Sequence, residues 1–125
     1  MEQWMWICIA GAIGTGARYW ISSWAAQRFG AALPYGTLIV NLVGCFAIAA
    51  IMHAALTLAW PTMLRSALTV GLLGGFTTYS SLNYDTTALA QQGAHGTALV
   101  NLSVTVVGGL IAGWLGLVVA RSVVG

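Results

Sequence analysis

Gly71-Leu72-Leu73-Gly74-Gly75-Phe76-Thr77-Thr78-Tyr79-Ser80-Ser81-Leu82-Asn83-Tyr84-Asp85-Thr86-Thr87 lies inside an otherwise apolar run from about Leu64 to Gln91. That run can cross a bilayer, which takes ~20 mostly apolar residues. Gly74-Gly75 followed by Thr77, Thr78, Ser80 and Ser81 nevertheless makes a poor continuous helix. The expectation is a span broken near its middle. Irregular backbone at that depth is tolerated only inside protein or against water. Freed carbonyls there suit a cation, and hydroxyls and ring edges suit an anion. Beyond the break, Tyr79, Leu82, Asn83 and Thr86 recur at helical spacing on one face.

Three more spans surround this one. They run from about Trp4 to Ala26, Gly36 to Ala59 and Thr97 to Ala120. Gln27-Arg28-Phe29-Gly30, Trp60-Pro61 and Gln91-Gln92-Gly93-Ala94-His95-Gly96 punctuate them. Trp4, Trp6, Trp24, Trp60 and Tyr35 stand near span ends, where amphipathic rings favour the interface. The chain of 125 residues has only four Arg, no Lys and two acids, with 5% charged residues and a mean hydropathy of +0.88. A soluble domain carries about 25% charged residues, so a soluble enzyme is excluded. A nucleic-acid binder, which needs a dense basic face, is excluded too. The expected fold is all-α, residues 1–125 forming a single four-helix transmembrane domain. Glu2 stands where a signal peptide would be basic.

With four spans both termini face one side. Arg65 and Arg121 lie on that side and Arg28 on the other, which is almost no topological bias. Insertion in both orientations, and an antiparallel homodimer, would follow. Gly11 and Gly14 in the first span and Gly109, Gly113 and Gly116 in the fourth allow close helix approach, within the chain or between subunits. Cys8 and Cys45 read as small buried hydrophobes. His53 and His95 are not at ligand spacing.

Few polar groups remain inside the spans, and such groups mark function by default. Arg18 either snorkels to the interface or supplies positive potential in a vestibule. Asn41 needs a partner across a helix interface or in a pore. Asn101, Thr105 and Gly108 make a second stripe on the fourth span. Two stripes and Asn41 suffice to line a narrow uncharged pore; the other reading is a buried network of hydroxyls bonded to i−4 carbonyls.

Three motifs carry a family resemblance: Gly11-Ala-Ile-Gly14-x-x-x-Arg18, Gly36-Thr-Leu-Ile-Val-Asn41-Leu-Val-Gly44 and Gly71-Leu-Leu-Gly74-Gly75-Phe-Thr77-Thr78-Tyr79-Ser80. The chain resembles the CrcB/Fluc family of small prokaryotic fluoride channels from about Gly11 to Gly116. The resemblance implies a passive, non-enzymatic, fluoride-selective channel in the bacterial inner membrane. It implies an antiparallel homodimer with two pores and a structural sodium on the two-fold axis, held by carbonyls of Gly74 and Thr77. It implies an anion path past Asn41, Tyr79, Ser80, Leu82, Asn83, Asn101 and Thr105, with Arg18 near one mouth. Tyr79 and Leu82 replace two phenylalanines of the family, Asn83 a serine, Asn101 a tyrosine, and Asp85 a glutamate. A dual-topology cation exporter using Asp85 and a non-conducting partner of a heterodimeric channel are the alternatives.

Overall fold

The computed structural model describes all residues from Met1 to Gly125 and is wholly helical. Helix α1 spans Gln3–Phe29 and α2 spans Tyr35–Thr57. The third span begins with α3, residues 62–76, which joins Thr62–Ser66, a π-helical stretch Ala67–Leu73 and a last turn Gly74–Phe76. It resumes as α4, Tyr79–Gln91, and α5 follows as His95–Val124. All four expected helical segments are present, each within a few residues of its expected bounds. By length and apolar composition alone, α2 and α5 qualify as membrane-crossing.

Local chemistry explains the ends. Gly30 and Gly93 both take φ 83°, a left-handed turn that suits glycine and stops α1 and the α4 exit. Pro34 and Pro61 stand immediately before α2 and α3, where a missing N–H costs no helical hydrogen bond.

The break falls later than the glycine pair. Gly74 is helical, at φ −62° and ψ −39°, whereas Thr77 and Thr78 are extended, at φ −90° and −151°. Thr78 then caps α4: its hydroxyl accepts the Ser81 N–H at 3.1 Å. Gly74-Gly75 is therefore not where the helix yields.

The glycines act in packing instead. A Cβ on Gly75 would meet the Gly11 carbonyl and Thr15 of α1. One on Gly14 would overlap the Leu72 carbonyl, and one on Gly71 the Ile7 carbonyl. Helices α1 and α3 are thus in backbone contact, as small residues allow where lipid offers no hydrophobic drive. On the other side α2 packs mainly on α5. A Cβ on Gly116 would strike the Phe46 carbonyl, and Gly109 and Gly113 lie against Cys45. The glycine stripes of both spans therefore serve contacts within the chain. Cys45 is half-buried beside α5, but Cys8 is exposed, against the expectation of burial for both.

Gly14→Ala and Gly116→Ala should each lower the melting midpoint in detergent by the equivalent of roughly 1–3 kcal/mol, the cost of overpacking. Gly16→Ala, where a Cβ meets nothing within 4 Å, should leave the melt unchanged.

Candidate functional site

A break in a helix orphans backbone groups, and each buried one needs a partner. Thr77 N–H still reaches the Leu73 carbonyl at 3.0 Å, and the Thr77 hydroxyl donates to the same oxygen at 2.9 Å. Arg18 of α1 donates Nε–H to the Gly75 carbonyl at 3.0 Å. Asn41 of α2 serves Thr78 twice. Its Oδ1 accepts the Thr78 N–H at 2.8 Å, and its Nδ2 donates to the Thr78 carbonyl at 3.0 Å. The Thr77 carbonyl accepts no hydrogen bond. The Gly74 carbonyl has lost its i+4 donor, because that donor, Thr78 N–H, is on Asn41.

Beside the break lies an open crevice of about 440 Å³, with Asn41, Thr69, Thr77, Tyr79, Leu82 and Thr105 among its walls. Asn41 and Leu82 are buried, while Tyr79 is 83% exposed. The Thr105 hydroxyl is buried and has no partner in the chain. A helical threonine usually donates to the carbonyl four residues back, as Thr69 does to Arg65 and Thr87 does to Asn83. Thr105 does not, so its donor is uncommitted, a state that calls for an explanation when buried.

A second crevice, about 320 Å³, opens where the α1–α2 connection meets α4. Ser22, Tyr35, Thr37, Asp85 and Gln92 line it. Asp85 is therefore separated from the crevice that holds Asn41 and Thr105.

The structure sorts the expected site residues into groups. Asn41, Tyr79, Leu82 and Thr105 share the first crevice. Ser80 is exposed and not among its walls, its hydroxyl 3.3 Å from that of Thr78. Asn83 is exposed away from it. Asn101, 1% exposed, donates to the Thr86 hydroxyl at 3.1 Å, so the two polar stripes of α4 and α5 are joined there. Arg18 is half-buried and its Nε is committed to the break. Gly74 is exposed and Thr77 half-buried, both beside the break. Thr69, also in the first crevice, lacked a sequence signal. It lies in the π-helical stretch, whose altered winding turns it inward, and nothing in Ala67–Leu73 marks that winding.

The combination of a broken third helix, an asparagine clamp from the second and an arginine from the first can be set against known proteins. Residues 5–117 match the family model described as CrcB-like protein, Camphor Resistance (CrcB). The chain belongs to the CrcB-like family. A relative from Sorangium cellulosum is 50% identical, over 99% of this chain and 98% of its own length. One from Anaeromyxobacter sp. strain K is 46% identical over the full length of both. One from Acidobacterium capsulatum is 36% identical over 98% of each. All three carry the name fluoride-specific ion channel FluC. CrcB-like membership and the apolar helices make this a membrane protein, and its class is non-enzymatic.

Because the buried Thr105 hydroxyl holds no internal hydrogen bond, Thr105→Val should leave the melting midpoint unchanged or raise it, by up to roughly 1–3 kcal/mol equivalent. Asn101→Leu, which severs the link to Thr86, should cost roughly 1–3 kcal/mol by the same thermal melt.

Proposed function

We propose that this CrcB-like chain conducts fluoride passively across the bacterial inner membrane, as a multi-pass antiparallel homodimer. The observation that carries the reading is the unpartnered Thr105 hydroxyl, buried in a crevice bounded by the helix break. The names of the full-length relatives support the ion.

Fluoride is small and strongly hydrated, so a narrow path must replace its water with donors. Neutral donors bind it without trapping it, and conduction needs binding weak enough to leave. Thr105 offers an O–H. Asn41 keeps one amide hydrogen beyond the one given to Thr78. Helix α4 begins at the break, and its N-terminal partial positive charge favours an anion. Leu82 forms a wall without a donor. Tyr79, exposed in the single chain, would meet the second subunit and bring its hydroxyl to the path.

The same break suits a structural sodium ion. Helix α3 ends there, so its C-terminal partial negative charge favours a cation. Unwound carbonyls at such half-helix ends are known cation ligands in membrane proteins. The residues present fit: the Thr77 carbonyl is unpaired, and Gly74 is exposed, within reach of a partner. Gly74 and Thr77 carbonyls from two copies would hold the ion on the dimer axis and tie the subunits together there.

Purified protein in liposomes should release fluoride and retain chloride when the potential is clamped with a potassium ionophore. Equal loss of both ions, or no fluoride loss, would sink the reading. Leu82→Phe should raise the fluoride rate by supplying a positive ring edge. Two lysines added at the Arg28 end should fix one orientation and abolish efflux. Co-expression with a version carrying lysines at the Arg65 end should restore it.

A further inference from the structure

We propose that Asn41 is the positioning residue of the carbonyl cation site at the helix break. The inference rests on the sodium reading above and adds what makes those carbonyls available.

In a trans peptide the C=O and the following N–H point in opposite directions. The Thr77 carbonyl and the Thr78 N–H belong to one such plane. Asn41 Oδ1 holds the N–H at 2.8 Å toward α2. The Thr77 carbonyl is thereby turned away from α2, where it meets no donor. The Thr78 carbonyl and the Tyr79 N–H share the next plane. Asn41 Nδ2 holds that carbonyl at 3.0 Å, so the Tyr79 N–H is turned away from α2 as well.

The same contact acts on Gly74. In an unbroken helix the Thr78 N–H would close on the Gly74 carbonyl. On Asn41 it cannot. One side chain therefore frees one carbonyl and aims another. Two neighbouring carbonyls are withdrawn by other groups: Arg18 takes that of Gly75, and Thr77 takes that of Leu73. Of the carbonyls whose partners Asn41 governs, Gly74 and Thr77 are left uncommitted.

Asn41 is 7% exposed, so no bulk water competes for Thr78. The side chain is also sterically defined, because Gly44, one turn on, lets the Thr77 methyl rest against α2, where a Cβ would collide with it. The requirement is for an acceptor of asparagine's length at position 41. Protonated aspartate meets it, one oxygen accepting the Thr78 N–H and the O–H donating to the Thr78 carbonyl, whereas the ionised form would set an acceptor against that carbonyl. Leucine has the shape without the acceptor.

The test is a sodium titration of the thermal melt of purified full-length protein in detergent, with N-methylglucamine keeping ionic strength constant. The unaltered protein should show a saturable sodium-dependent rise in midpoint. Asn41→Asp should keep it at acid pH, where the carboxyl is protonated. Asn41→Leu should weaken the apparent sodium affinity by roughly tenfold or more, the order of one lost buried hydrogen bond. A leucine variant that titrates like the parent overturns the inference. A parent with no sodium response refutes the cation site itself and the inference with it. Should the leucine variant fail to fold, the parent supplies the test through isotope-edited spectra. Sodium should shift the Thr77 carbonyl while the Thr78 amide stays protected from exchange with and without the ion. An unmoved Thr77 carbonyl, or a freely exchanging Thr78 amide, overturns it.

Discussion

The paired hydrogen bonds between Asn41 and Thr78 are the contact on which the rest of the site depends. A membrane-embedded helix cannot simply stop, because lipid offers nothing to its exposed N–H and C=O groups. Here a side chain from α2 replaces the missing helical partners, and an arginine from α1 takes one more carbonyl. The third span can therefore break without leaving its buried donors stranded. Acceptors remain at Gly74 and at Thr77, whose carbonyl is turned away from α2.

That arrangement demands close helices, which is where the glycines enter. Gly11, Gly14, Gly71 and Gly75 bring α1 and α3 into backbone contact, so that Arg18 reaches Gly75. Gly44 brings Thr77 onto α2, beside Asn41. Gly109 and Gly116 set α5 against the other flank of α2, which places Thr105 across the crevice from Asn41. Packing and chemistry are here one feature, since each polar contact at the break spans a gap that a methyl group would widen.

The break also separates charge through the backbone itself. One half-helix ends and another begins within two residues, so partial negative and partial positive ends face nearly the same place. A site for a cation and a path for an anion can thus share one feature of the backbone. Of the two ionisable residues nearby, only Arg18 touches the break. Asp85 lines a different crevice, and Nε of Arg18 is bound to backbone.

Composition and spacing alone determined the four helices, their short connections and the interruption of the third span, because apolar length and turn residues are local properties. The three glycine-rich motifs also carried the family. Several features were decided only by tertiary structure. The break falls at Thr77 and Thr78 because Asn41, far away in sequence, stabilises an extended Thr78 there, while the more suspect Gly74-Gly75 stays helical against α1. Asn101 and Thr105, one turn apart on α5, have different fates because Thr86 happens to face only the first. Thr69 enters the crevice through a π-helical winding that no residue pattern announces. Which polar group is satisfied and which is left free depends on the partner that packing brings opposite it, and that is a property of the folded chain.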